Sequence, residues 1–341
     1  MKLPDNAHIA VLRLSALGDV THVISVVSAI QKRYPHTKIT WITGKHEAQL
    51  VSMMPNVNVV IYDKKTGIKG MLALRRQMKK YAFDVLLHMQ WSIRASVLSL
   101  MIKAKTRIGF CRRYSREKQH WFVNHLAPEP SGKHVLDALM SMALAIDVPN
   151  EPPFWMLKPA IFALADEKLS LPSDYIVINP SASKPIRNWT LAGYRQVIEF
   201  LIRHGQHVVL TGGPSEQEIS FATEIANGLS VINLVGKTDL HLLTSVIAKA
   251  KLIVSPDTGP AHIGTMVGTP VLGLYALSNP ERTGPYLSKD LMVSVYSELA
   301  EKEYGKPIEE IPWAARVHDE NAMDAIQVED VIAKLIDFTE R

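Results

Sequence analysis

Lys251-Leu252-Ile253-Val254-Ser255-Pro256-Asp257-Thr258-Gly259-Pro260-Ala261-His262 is the stretch on which the fold turns. A short β-rich run, Leu252-Ile253-Val254, stops at Pro256, and a turn of small residues opens a helical segment over 261–267. Asp257, Thr258 and Gly259 therefore stand at a helix mouth, just past the carboxyl end of a strand. N–H groups there lack intrahelical partners and the helix dipole is positive, so the mouth favours phosphate. Gly259 permits close approach, Thr258 offers a hydroxyl, and His262 adds a donor one turn in. Asp257 or Thr258 could instead simply cap the helix, but capping alone requires neither Gly259 nor His262.

The strand-then-helix alternation continues on both sides of this turn. In the second half, strands are expected over 175–179, 207–211, 231–234 and 271–275. Helices are expected over 191–204, 216–226 and 239–250, with a closing helix over 328–338. The first half repeats the pattern, with strands over 9–14, 38–42, 57–62, 85–89 and 107–109. Its helices fall at 20–33, 47–53, 70–80 (basic), 91–103 and 134–144, and residues 111–120 read as an exposed, mobile basic loop. Such alternation predicts parallel, doubly wound sheets. Four prolines over 148–159 mark a linker. The expected organisation is an α/β chain of two doubly wound domains, 1–158 and 159–325. Residues 326–341 form a closing helix that packs back on the first domain. The carboxyl ends of both sheets would then face a common cleft, which suits a donor on one side and an acceptor on the other.

Bulk properties narrow the function. The 341 residues suffice for two cores, and 47% hydrophobic with 21% charged residues is ordinary for a globular enzyme. The single cysteine, Cys111, forms no intramolecular disulfide, in keeping with a reducing cytoplasm. No apolar run reaches the roughly 18 residues needed to span a bilayer, and the first residues lack the apolar core of a signal peptide. The net charge of +5 conceals a division: residues 1–165 hold 23 Lys+Arg against 10 Asp+Glu, whereas the remainder holds 15 against 23. A basic first half expects an anionic partner: nucleic acid, acidic lipid headgroups or an acidic glycan. The acidic second half disfavours nucleic acid, which needs a continuous basic path.

Three further segments carry chemistry. Leu14-Ser15-Ala16-Leu17-Gly18-Asp19-Val20 ends the first strand, with His22 one turn on. A carboxylate at position 19 can take the proton of an attacking hydroxyl, or cap the helix that follows. The segment lacks G-x-G-x-x-G spacing, which removes the main support for hydride transfer. Pro180-Ser181-Ala182-Ser183-Lys184-Pro185-Ile186-Arg187-Asn188-Trp189 offers the Ser181 and Ser183 hydroxyls, with Lys184 or Arg187 to neutralise a diphosphate. In Gly212-Gly213-Pro214-Ser215-Glu216, Glu216 could accept from ribose hydroxyls or only favour a helix dipole, and Gly236-Lys237-Thr238 would lie beside the base. No Walker A sequence and no paired Cys/His spacing occurs, so no cofactor or tight metal site is expected.

Taken together, Leu12–Asp19, Asn179–Trp189 and Ser255–His262 resemble glycosyltransferase family 9, the ADP-heptose:lipopolysaccharide heptosyltransferases. Tyr62-Asp63-Lys64-Lys65-Thr66-Gly67 is most similar to members acting first on the lipid A–Kdo inner core. The resemblance implies a GT-B fold, ADP-sugar bound by the C-terminal domain, and inverting transfer of heptose to Kdo-lipid A. Asp19 falls on the general base. Asp257, Thr258, Gly259 and His262 fall on the donor positions, with Arg187 standing where the family often has lysine. Ser181, Ser183, Lys184, Glu216 and Thr238 complete the expected donor set. His22, Lys64, Lys65, Arg94, Arg112, Arg113 and Arg116 are acceptor candidates. The enzyme would work at the cytoplasmic face of the inner membrane, touching its anionic surface peripherally and binding no nucleic acid. Two alternatives are a sugar-nucleotide epimerase of GT-B-like fold and a non-catalytic anionic-lipid-binding protein.

Overall fold

The strands that decide the architecture are short and almost wholly apolar, a composition that only a sheet covered on both faces can bury. The computed structural model describes residues 1–340, which divide into two compact units, Met1–Lys158 and the residues from Pro159 onward.

The first unit holds β1 (His8–Leu12), β2 (Lys38–Thr43), β3 (Val57–Ile61), β4 (Phe83–His88), β5 (Ala104–Gly109) and β6 (His125–Leu126). They pair in parallel in the order β3-β2-β1-β4-β5-β6. Its helices are α1 (Leu17–Arg33), α2 (Ala48–Ser52), α3 (Gly67–Met78), α4 (Ile93–Ser99) and α5 (Val135–Leu144). The second unit holds α6 (Ala160–Lys168), α7 (Leu191–Arg203), α8 (Glu216–Ala226), α9 (Leu240–Lys249) and α10 (Gly259–Val267). After them come α11 (Pro280–Thr283), α12 (Tyr296–Tyr304) and α13 (Val328–Thr339). Its strands are β7 (Tyr175–Ile178), β8 (His207–Leu210), β9 (Ile232–Asn233), β10 (Leu252–Pro256), β11 (Val271–Tyr275) and β12 (Val293–Ser294). Their order, β12-β11-β10-β7-β8-β9, is the first sheet's order repeated, again all parallel. Both are Rossmann sheets, and each reverses direction between its first and fourth strands, where ligands of such sheets bind. In the first sheet that point lies between β1 and β4, and in the second between β7 and β10.

Several expectations are refined. The 91–103 helix is confined to α4 because Ser92 caps it and the chain turns after Leu100. Helix α3 begins earlier than position 70, at Gly67, whose positive φ carries the chain into it from the Lys64–Thr66 turn. The 111–120 loop is not loose. Gln119 is fully buried and bonds Phe110 N, His88 O and Gln90 O, while Trp91 Nε1 donates to Tyr114 O at 2.9 Å. The proline-rich stretch lies along the first unit, where Trp155 Nε1 donates to Thr21 O and Met156 N to Ser28 Oγ. The closing helix was expected on the first domain. Instead α13 buries Val331 and Leu335 in the second unit's core beside α7 and β12, because its apolar face completes that core.

Candidate functional site

At the first sheet's reversal point, β1 ends in Leu12, which pairs with Ile42 of β2 and His88 of β4. The loop that follows is stitched to both neighbours. Leu14 N and Ser15 N donate to Gln90 Oε1 at 3.0 and 3.3 Å, and Gly44 N donates to Leu14 O at 3.0 Å. Helix α1 then starts with Ala16 as N-cap and no side-chain cap bond. Asp19 is the helix's third residue and does not cap it. Its carboxylate forms an ion pair with the Arg13 guanidinium, whose side chain is only 2% exposed, while that of Asp19 remains 30% exposed. Arg13 is fixed in turn by Nη1 donating to Met89 O at 2.5 Å and by the Trp91 ring 5.1 Å away. Burial weakens Arg13's hold on its proton and the Asp19 charge opposes that, but a guanidinium stays charged in either setting. The result is a carboxylate held from behind and open in front.

Beside it, a cavity of ≈ 550 Å³ is lined by Leu14 and Ser15, the Gly44–Glu47 turn after β2, and Tyr62–Lys65 after β3. Lys64 and Lys65 therefore lie close to Asp19's loop, joined by Lys45 and His46, which the sequence reading missed. Position 45 carries no motif, and only the pairing of β1 with β2 brings it there. Arg94, Arg112, Arg113 and Arg116 are exposed but do not line this cavity. His22 is 2% exposed and meets the His134 ring edge-on at 5.2 Å, inside the unit and apart from the residues lining this cavity.

The second unit repeats the arrangement. Because β7 and β10 are neighbours, their carboxyl-end loops meet. Arg187 Nη1 donates to Asp257 O at 3.0 Å and lies 3.5 Å from Asp257 Oδ2. The Ser278 hydroxyl, just beyond β11, donates to Asp257 Oδ2 at 2.5 Å, and His262 Nε2 lies 3.8 Å from Oδ1. Burial pushes the Asp257 carboxyl up, but the neighbouring His262 imidazole, the Arg187 charge and the Ser278 hydroxyl outweigh it and hold the group below the usual carboxylate range. Asp257 is thus an internal hub orienting Arg187 and His262. Thr258 is the N-cap of α10 and makes no side-chain cap bond, so neither residue spends its side chain on capping. Pro260 removes one orphan donor at the helix start, and the remaining first-turn N–H groups keep the anion-binding character of an uncapped N-terminus.

The Asn179–Trp189 loop is braced by Asn179 Nδ2 donating to Ser181 O and by Ala182 N donating to Asn188 Oδ1. Ser181 is buried, whereas Ser183 and Lys184 are exposed. Glu216 is an exposed first residue of α8. The glutamate that shapes the Gly212-Gly213 loop is Glu218, which accepts from Gly213 N at 2.5 Å and from Ser215 Oγ at 3.2 Å. The Ser-x-x-Glu spacing of residues 215–218 was its available signal. Gly236, in the left-handed region, joins this loop through its N–H to Gly212 O at 3.1 Å. Thr238 follows, with a buried hydroxyl that finds no protein partner. Two Rossmann sheets of one strand order, one presenting a carboxylate and the other an uncapped helix mouth, are the architecture expected of a GT-B enzyme.

The comparisons with known proteins agree. The sequence profile of glycosyltransferase family 9 (heptosyltransferase) matches residues 71–313, and the chain belongs to that family. It is 45% identical over 331 residues to the lipopolysaccharide core heptosyltransferase OpsX of Haemophilus influenzae, covering 96% of this chain and 95% of that protein. In three dimensions it resembles a glycosyl transferase of family 9 from Veillonella parvula, with TM-score 0.78, 21% identity and coverage of 100% and 99% of the two chains. It also resembles Escherichia coli heptosyltransferase WaaC with ADP, with TM-score 0.76, 18% identity and coverage of 98% of each.

Proposed function

We propose that the chain transfers heptose, with inversion, from ADP-L-glycero-D-manno-heptose to the Kdo-lipid A inner core during lipopolysaccharide core assembly. The observation that carries this reading is the Asp19 carboxylate, ion-paired to a buried arginine at the first sheet's reversal point yet still exposed. There it can accept the proton of the acceptor hydroxyl as that oxygen attacks the sugar's anomeric carbon. On the donor side, the α10 mouth (Thr258, Gly259, His262) and Arg187 stabilise negative charge as the diphosphate leaves. Ser181, Ser183 and Lys184 border the same carboxyl edge. Glu218 shapes the Gly212–Gly213 loop, Glu216 stands exposed beside it to accept from ribose hydroxyls, and Thr238 offers a hydroxyl nearby. The Lys45, Lys64 and Lys65 ammonium groups suit the carboxylate and phosphates of Kdo-lipid A.

Support for the chemistry comes from the related OpsX of H. influenzae and from E. coli WaaC, solved with ADP and with ADP-2-deoxy-2-fluoro heptose. No helix among the described residues is long and apolar enough to cross a membrane. We place the enzyme peripherally at the cytoplasmic face of the inner membrane, where its acceptor is embedded. A donor screen tests the reading: ADP-heptose, ADP-glucose and UDP-sugars, each with Kdo-lipid A, scored by product mass. The expected product is acceptor plus one heptose, from ADP-heptose only. Turnover of a UDP-sugar without acceptor would overturn it in favour of an epimerase.

A further inference from the structure

The first unit carries a surface that the transfer chemistry does not use. On α3, Leu74 and Met78 are buried, with Met71 packed against the same core. On a helix of 3.6 residues per turn, Ile68, Leu72, Arg75 and Arg76 fall together within an arc of roughly 100°, away from those core positions. All four are exposed, Ile68 at 76% and Leu72 at 46%. Helix α4 packs on the same core through Ala95 and Leu98, and the turn after it through Ile102. Its outer side shows Ile93, Val97 and Leu100 in an i, i+4, i+7 stripe, exposed at 44%, 38% and 55%. A cavity of ≈ 600 Å³ joins the two helix ends, lined by Arg75, Met78, Lys79, Tyr81, Leu100–Ala104 and Arg107.

The charge on this face has one sign. From the start of α3 to β5, residues 67–105 contain eight Lys+Arg and a single acidic residue, Asp84, which is occupied by Lys105. Exposed aliphatic groups are costly in water, and aliphatic groups set among solvated cations match the chemistry of an anionic bilayer interface. Apolar side chains enter the acyl boundary while ammonium and guanidinium groups meet lipid phosphates.

We infer that the outer face of α3 and α4 is the membrane-docking surface, and that its partner is a bilayer rich in anionic glycerophospholipid. The inference deepens the peripheral placement proposed above and rests on it. Docking would hold the unit beside an acceptor that is itself anchored in the bilayer, without using the cavity next to Asp19.

The test is sedimentation of the full chain with vesicles of phosphatidylglycerol and phosphatidylethanolamine, against vesicles of phosphatidylcholine alone. Binding is expected only to the anionic vesicles, and should weaken strongly between about 0.1 and 0.5 M salt. Two variants divide the contributions, Ile68→Ser with Leu72→Ser, and Arg75→Glu with Arg76→Glu. Each should weaken vesicle affinity by about tenfold or more. Both should transfer heptose to a deacylated, water-soluble Kdo acceptor at the wild-type rate, since none of these residues belongs to the catalytic or binding groups. Equal binding to both vesicle types, wild-type binding by both variants, or lost transfer to the soluble acceptor would overturn the assignment. Capture only by lipid A micelles, not by phosphatidylglycerol vesicles, would overturn it as well. Heptose transfer without vesicle binding sinks the docking face alone. Vesicle binding without heptose transfer sinks the proposed reaction and leaves the face standing.

Discussion

Two carboxylates of this chain stand in opposite environments. Asp19 is exposed in front and paired behind, which suits a group that must exchange a proton with substrate. Asp257 is enclosed by Arg187, Ser278 and His262, which suits a group that orients others. Replacing Arg13 with Met should let the Asp19 side chain swing from its position. We expect transfer to fall about 10²-fold from misplacement alone, with ADP affinity unchanged, as read by steady-state rates and calorimetry. Asp257 behaves differently because its folded pKa lies below the ordinary value. Its contribution to stability is complete above the unfolded carboxylate range of about 4 and fades as pH falls through the lower folded value. Asp257→Asn, which strands the Arg187 charge, should therefore lower stability by about 3 kcal/mol at neutral pH and by less in acid. Urea midpoints at neutral and strongly acid pH check the sign.

The Asp257–His262 turn and the Asp19 segment were legible because every residue they need is contiguous. Their partners were not. Ser278 lies a strand and a helix beyond Asp257, and Lys45 reaches the Asp19 loop only through sheet pairing.

Among the elements, α10 bears the strictest packing demand. A Cβ placed on Gly264 would lie 2.8 Å from methyl groups of both Ile253 and Val271. The glycine lets α10 press against β10 and β11, and so fixes where its N-terminus stands. Gly264→Ala should cost about 1–3 kcal/mol through overpacking and displace the anion-binding mouth. Both a lowered Tm and a weakened ADP affinity are expected, the second measured by titration. Long elements with clear periodicity, such as α1, α7 and α9, were readable to within a few residues. Residues 280–326 carry no legible pattern: short helices, a two-residue strand and turns leave no window long enough for either period to emerge. The closing helix was read correctly as a helix but assigned to the wrong core, because an apolar stripe records that a face is buried, not against what.

For the whole molecule, the repeated sheet order and the two separate cores predict unfolding in more than one step. One buried group gives the first unit a specific acid sensitivity. His88, at the end of β4, bonds Ser96 Oγ at 3.0 Å, and burial first, then the charges of Arg107 and Arg13, push its pKa down to about 3. An unfolded histidine binds its proton near 6.5, so the first unit loses stability as pH falls from 6.5 towards 3. At full titration the loss is on the order of 5 kcal/mol. His88→Gln should flatten that decline, visible in denaturant midpoints taken across the range. The charge division read from sequence is the property of these units: the first holds the surplus of cations and the second the acidic balance. Composition alone therefore separates a cationic unit from an acidic one.

The central claim is that Asp19 takes the proton from the acceptor. The most direct measurement is single-turnover heptose transfer from ADP-heptose to Kdo-lipid A by Asp19→Asn, with ADP binding and thermal stability followed in parallel. We predict a rate lower by about 10²–10⁴-fold with nucleotide affinity retained. A variant that folds, binds ADP and transfers heptose at the wild-type rate would contradict it.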